Sequence, residues 1–383
     1  MEEQTLNGMI IAGESSGDLH GSELVLSLKK LKPDLKIEGI AGPKMRKAGV
    51  EPLFFSEDIT AIGFFEVVGK IPFLKKVYNS LKLRFRSRKY SFIILIDFPG
   101  FNLAVAKAAK RCGIPVIYYI SPQVWAWRRG RVKKIAKCVD KMFVILPFEE
   151  KFYENSGVNA EFVGHPLIDC VKTSHSKEEM CRKFHLEMNR PIVGLLPGSR
   201  NAEIKHMFSI ILQSAKIIKQ SMPETQFVLP LAETVDEKQV EKHIGKNGVD
   251  IKIIKGLNYD TINISDFLIA VSGTVTLETA LLGKPMVIMY RGTFLSWILA
   301  EMLRRVPCFG LANIIAGKEV VPELKQYQVN SKRIAEISLN ALRDGDYRAS
   351  VREELLQIKK ELGEPGVSLR CAGKILDYLE TGS

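Results

Sequence analysis

The run Asp266–Val271 is short, apolar and rich in strand formers, and it ends in Ser272-Gly273-Thr274. A helix is expected next over Val275–Leu282, closed by Gly283 before the strand that follows Pro285. A helix that starts where a parallel strand ends presents unpaired N–H groups and the positive end of its dipole, so this turn suits a phosphate. Gly273 lets a ligand come close to the backbone, and Ser272 or Thr274 can cap the helix. Glu278 stands four residues after Thr274, one turn up on the same face. Beside a phosphate a carboxylate would be repelled. One turn further on it can accept hydrogen bonds from a neutral diol such as ribose. Phosphate at the turn and ribose at the glutamate describe a nucleotide-sugar pocket; the competing reading is a plain capped crossover with a solvated glutamate.

Three more turns of this kind carry reactive groups. Strand Ile192–Leu196 runs into Pro197-Gly198-Ser199-Arg200, whose guanidinium can grip phosphate through two parallel hydrogen bonds. Two such turns in one parallel sheet can both face one diphosphate. The apolar strand Ser91–Ile96 ends in Asp97-Phe98-Pro99-Gly100-Phe101-Asn102, with Asn102 expected to cap the next helix. Asp97 is then either a base at a strand tip, where ligand chemistry concentrates, or a helix-end residue. Near the start, strand Met9–Ala12 leads into Gly13-Glu14-Ser15-Ser16-Gly17-Asp18 and a helix over Leu19–Leu31. These residues match a dinucleotide fingerprint poorly, but they suit a ligand-lining loop. His165, before Pro166, is read as hinge structure rather than a base. Asp344-Gly345-Asp346 is read as a helix stop and restart, not a metal site.

The elements that must position these groups alternate strand and helix along the chain, which indicates parallel sheets. A length of 383 residues suggests two domains. Hydrophobic content of 46% with 26% charge is ordinary for a soluble globular protein. Six scattered cysteines without a Cys-x-x-Cys pair argue for a reducing compartment and against a disulfide framework or zinc site. No signal peptide or membrane span is expected.

The net charge is +12, and two basic segments crowd the first half: Lys70 to Lys89, and Arg128, Arg129, Arg131, Lys133, Lys134 and Lys137. In the first, Leu74, Val77, Tyr78, Leu81 and Phe85 form one helical stripe. Phe64, Phe65, Phe73 and Leu83 are apolar beyond what one buried face needs. With Val68 and Leu74 they suit an anionic membrane surface; the alternative is a core helix with a solvated basic face. Nucleic acid is not an expected partner, because it would leave the two phosphate turns unexplained. Trp125 and Trp127, ahead of the second basic segment, are expected on a cleft wall or a lipid-facing surface.

These motifs, with Tyr119-Ile120-Ser121-Pro122-Gln123-Val124-Trp125-Ala126-Trp127 and Leu311-Ala312-Asn313-Ile314-Ile315, are spread in order over nearly the whole chain. Together they resemble the lipid-A-disaccharide synthases. The resemblance implies an α/β fold of GT-B type, two Rossmann-like domains facing a cleft: 1–168 for the acceptor and the membrane, 169–364 for the UDP-sugar donor, and a C-terminal helix in 365–383 returning to the first. That helix agrees weakly with the sequence, through an apolar face of Leu369, Ala372, Ile375, Leu376 and Leu379.

The implied reaction joins UDP-2,3-diacylglucosamine to 2,3-diacylglucosamine 1-phosphate, with inversion, no cofactor and no metal. The resemblance makes Asp97 the base and Glu14 its rival. It puts Arg200 and Ser199 with Ser272, Gly273 and Thr274 on the diphosphate, Glu278 on the ribose, and Asn313 near the donor. Gly13, Ser15, Ser16, Gly17, Asp18 and Phe98 would border the acceptor. It also implies a cytoplasmic protein held peripherally at the inner membrane; a homodimer is compatible with the sequence. A nucleotide-sugar epimerase of the same fold is the alternative.

Overall fold

The computed structural model describes residues 6–60, 67–87, 90–127, 129–198, 201–232, 235–291 and 308–381. The chain divides into two compact units, Met1–Asp169 with Leu362–Ser383, and Cys170–Glu361. The return to the first unit begins slightly earlier than 365, because the Leu362 carbonyl already accepts the His165 N–H at 2.9 Å. His165 itself is buried, and its Nδ1 accepts from the Leu167 N–H. That is a structural role at the chain crossing.

Among its described residues the first unit holds seven parallel strands: β1 (Asn7–Ala12), β2 (Lys36–Ala41), β3 (Glu51–Phe55), β4 (Phe92–Ile96), β5 (Val116–Tyr119), β6 (Lys141–Val144) and β7 (Ala160–Phe162), in the order β3-β2-β1-β4-β5-β6-β7. The strands are short and apolar because helices cover both faces. Met9 and Ile11 belong to one layer with Val105 and Tyr118, whereas Ile10 and Ala12 belong to the other with Leu24, Val25 and Ile375. β3, which the apolar pattern misses, is an edge strand that tolerates Pro52 because one side needs no ladder bond.

Among its described residues the second unit repeats the plan with six parallel strands: β8 (Ile192–Leu196), β9 (Gln226–Leu231), β10 (Ile251–Lys255), β11 (Phe267–Val271), β12 (Met286–Tyr290) and β13 (Glu323–Lys325), ordered β10-β9-β8-β11-β12-β13. In both sheets the first strand lies beside the fourth, so the strand order reverses there. Crevices for ligands open at that point, beyond the carboxyl ends of the strands. Each unit is Rossmann-like.

The C-terminal helix Val367–Thr381 packs into the first unit through Val367, Cys371, Ala372 and Ile375, with Leu376 and Leu379 at the margin. Leu369 is 41% exposed and not part of that face. The helix is phased from Val367, and Leu369 is turned away from the line of residues four apart. No described helix is long and apolar enough to cross a membrane.

Candidate active site

The switch point of the first sheet falls between β1 and β4, whose ends Ala12 and Ile96 are paired. Gly13-Glu14 follows one and Asp97-Phe98 the other. Asp97 has φ 43° and Phe98 φ 47°, two consecutive non-glycine residues in the left-handed region. Such a conformation costs roughly 1–2 kcal/mol per residue and persists only where the surroundings enforce it.

The enforcement is visible. The Asp97 carbonyl accepts from Asn102 Nδ2 at 2.8 Å and from the Tyr118 hydroxyl at 2.5 Å. Asn102 also bonds the Ile96 carbonyl. The helix begins at Pro99, so Asn102 lies in its first turn and holds the β4 end instead of capping the helix. The Phe98 ring packs on Phe101 and lies so close to Gly13 that an added Cβ would stand 2.6 Å from it. Burial pushes the Asp97 carboxyl up to about 6, the Glu14 charge adds to the rise, and the Phe98 N–H opposes it. A half-buried carboxylate near neutrality at a strand tip is what a general base requires.

The preceding loop is shorter than its sequence implies. Ser15 to Asp18 already form the first turn of the helix Ser15–Leu31. Ser15 and Ser16 are exposed, and Gly17 is buried against Ala12 and Ile96. Asp18 is buried and accepts from the Lys44 and Met45 N–H groups at 2.9 and 3.0 Å, capping the helix Pro43–Lys47. Asp18 and Gly17 therefore support neighbouring backbone and do not face a ligand. Glu14 and Gly13 stay beside Asp97.

One recess of about 380 Å³ opens beside Asp97, walled by the residues after β4, β5 and β6. Its floor holds a group that pattern reading missed. Glu149 is buried and accepts from Ser121 Oγ at 2.6 Å, Trp125 Nε1 at 2.8 Å and the Leu146 N–H at 3.1 Å. Burial pushes its carboxyl up to about 7, opposed by those bonds. Trp125 is thus a buried residue fixed by its indole N–H behind Glu149, and no lipid-facing role is left for it. In sequence Glu149 looks like an ordinary acid in the first turn of a helix; only its partners after β5 distinguish it.

In the second unit the switch point lies between β8 and β11, paired through Leu196 and Ala270. Gly198, at φ 105°, turns the chain after β8, a conformation that favours glycine. Ser199 and Arg200 lie outside the described residues. After β11, Gly273 precedes the helix Thr274–Leu281, and no side chain caps that helix. An added Cβ at Gly273 would meet nothing within 4 Å, so the turn is open to a ligand. The Ser272 N–H is spent on the Met289 carbonyl at 2.8 Å, which leaves Ser272 only its hydroxyl for an anion. Glu278, one turn up, accepts from the Tyr259 hydroxyl at 3.2 Å, and burial raises its carboxyl.

Comparison with known proteins decides what this pair of switch points belongs to. The family profile described as lipid-A-disaccharide synthetase matches residues 9–369. Lipid-A-disaccharide synthases of Geobacter metallireducens and Geobacter sulfurreducens are 45% and 44% identical, each over 97% of this chain and 97% of their own. That of Nitrosococcus oceani is 43% identical over 92% of both chains. The chain belongs to the lipid-A-disaccharide synthase family. It is accordingly a glycosyltransferase, with a UDP-sugar donor and a lipid acceptor.

Solved structures similar to it include a Staphylococcus aureus MnaA–UDP complex (TM-score 0.67, 14% identity, 98% of this chain and 97% of that one). Another is a UDP-GlcNAc 2-epimerase from Neisseria meningitidis bound to UDP-GlcNAc (0.64, 14%, 99% and 100%). At these identities the likeness is one of fold, a GT-B-like α/β fold with two parallel sheets. The epimerase alternative has no support beyond that fold.

Asn313 is fully buried, and its amide is saturated by its own loop. Nδ2 donates to the Val321 carbonyl and Glu323, and Oδ1 accepts from the Val320 and Val321 N–H groups. Its side chain therefore shapes the loop and presents no polar atom to the donor. Asp344 ends one helix and accepts from the Tyr347 N–H at the start of the next, as a stop and restart requires. No group of three or more metal-ligating side chains occurs among the described residues.

The Glu278 placement predicts a binding defect. Glu278→Ala should weaken UDP about tenfold or more if the carboxylate takes hydrogen bonds from the nucleotide, the size of such bonds to a charged group. Titration calorimetry with UDP alone would show it, and an unchanged affinity would remove Glu278 from the ribose.

Proposed function

We propose that the chain transfers 2,3-diacylglucosamine from UDP-2,3-diacylglucosamine to the 6-hydroxyl of 2,3-diacylglucosamine 1-phosphate. The products are the β-1,6-linked disaccharide 1-phosphate and UDP. The observation that carries this reading is the strained Asp97, raised to about 6, at the edge of a recess within the range of small-molecule sites, about 300–1,000 Å³. Asp97 takes the acceptor proton as its oxygen attacks the anomeric carbon. Glu14, next to it, is the rival base, and its negative charge also favours Asp97 as proton acceptor.

Donor contacts come from the second unit. Arg200 and Ser199, with the hydroxyl of Ser272, the backbone at Gly273 and the start of the helix at Thr274, neutralise the departing diphosphate. Glu278, steadied by Tyr259, holds the ribose. A single displacement on an α-linked donor gives a β product. Determining the anomeric configuration of the isolated disaccharide by its proton coupling tests this step; an α linkage would require a different mechanism.

An anionic membrane surface is the proposed site of work. Phe64 and Phe65 lie outside the described residues, and so does the side chain of Val68. Leu74 is half-buried against the core, together with Phe73 and Tyr78, while Val77, Leu81 and Phe85 are buried. That part of the stripe is core. The same helix, Val67–Ser87, nevertheless exposes Ile71 at 53% and Leu83 at 65%, alongside the exposed Lys75 and Lys76. Arg84 is not part of this face, since it pairs with Glu38. Apolar insertion and cationic attraction add at such a surface. Changing Ile71 and Leu83 to serine should lower co-sedimentation with anionic liposomes; equal sedimentation of variant and parent would place membrane contact elsewhere.

A further inference from the structure

The recess beside Asp97 has polar groups of two kinds. Glu149 and Ser121 are bonded to each other, and Glu149 takes further N–H donors from Trp125 and the backbone. These bonds hold both side chains in place. Asp97, Gln123 and Arg131 line the same space, and Arg131 is the one cation among the described lining residues. It is half-buried at the end of the short turn Arg129–Arg131, directly before the helix Val132–Cys138. That helix carries Val132 and Ile135 into the core, so the turn is anchored.

A recess lined by Asp97 after one strand and by Arg131 from a separate turn fits a ligand that bears a hydroxyl and an anion at separate positions. A sugar phosphate is such a ligand. A guanidinium recognises phosphate by two parallel hydrogen bonds, which a lysine cannot reproduce.

We propose that Arg131 is the residue that recognises the phosphate of the acceptor, and that it sets the preference for a phosphorylated over an unphosphorylated acceptor. This rests on the acceptor reading given above. Asp97 and Arg131 would then fix the two ends of the acceptor headgroup, so that its hydroxyl is presented to Asp97 in one orientation.

The test compares 2,3-diacylglucosamine 1-phosphate with its dephosphorylated counterpart in mixed micelles, at saturating donor, for the parent, Arg131→Ala and Arg131→Lys. The parent should prefer the phosphorylated acceptor. Arg131→Ala should lose about 10- to 100-fold in kcat/KM on that acceptor, the range of a lost charge-assisted hydrogen bond, chiefly through KM. It should lose little on the dephosphorylated acceptor, so the preference collapses, and its donor KM should stay that of the parent. Arg131→Lys should keep part of the preference.

If Arg131→Ala impairs both acceptors equally, or neither, or raises the donor KM instead, the assignment is overturned while the transferase reading stands. The same holds if the variant loses liposome binding but keeps the preference. A parent that releases no UDP with either acceptor would overturn the transferase reading as well.

Discussion

Asp97→Asn should lower kcat by at least about 10²-fold while leaving UDP affinity close to that of the parent. Asparagine keeps the size and the hydrogen-bonding shape of the side chain but cannot take a proton. The parent should also lose kcat/KM as pH falls through about 6, because the base must be ionised and its carboxyl is held near that value by burial and by Glu14. The variant should show no such limb. Stability should move the other way. The ordinary carboxyl value is 3.8, so between 3.8 and about 6 the folded state binds more protons than the unfolded one. Folded stability therefore falls as pH rises through that window, and asparagine removes the loss. An Asp97→Asn protein that is nearly inactive yet melts at or above the parent temperature at pH 8 would fit both. If Asp97→Asn keeps most of its kcat while Glu14→Gln is dead, the base is Glu14.

Arg200→Ala should reduce turnover by about 10³-fold or more. A developing diphosphate charge needs a countercharge at the moment of departure, and loss of a single preorganised donor already costs about 10²–10³-fold. Arg200→Lys should recover only part, because a point charge does not replace a planar fork. Steady-state kinetics with saturating donor separates this loss from weaker binding. Parent-like turnover in Arg200→Ala would move the diphosphate away from the loop after β8.

The strand ends were legible because buried parallel strands read as continuous apolar runs, and each run stops where a reactive turn begins. That is why the turns at Gly13, Asp97 and Ser272-Gly273-Thr274 could be placed at strand ends from residue types alone, and why the α/β plan could be read. What the pattern could not supply were partners distant in sequence. Asp18 looks like a loop acid until the N–H groups of Lys44 and Met45 are found above it. Asn102 looks like a cap and the family resemblance puts Asn313 near the donor, yet Asn102 spends its Nδ2 on nearby backbone and Asn313 its whole amide on its own loop. Nothing local singled out Glu149 or Tyr259, because the contacts that distinguish them come from side chains many residues away. The strain at Asp97 and Phe98 is likewise invisible in sequence, since neither residue type announces a left-handed backbone.

The account stands most directly on whether UDP leaves only when a second sugar is present to receive the transfer. The decisive measurement follows UDP release from UDP-2,3-diacylglucosamine with and without 2,3-diacylglucosamine 1-phosphate, for the parent, Asp97→Asn and Arg200→Ala. The account predicts release by the parent that depends on the acceptor and matches disaccharide formed, with both variants close to background. Acceptor-independent release, or an isomerised donor with no disaccharide, would contradict it.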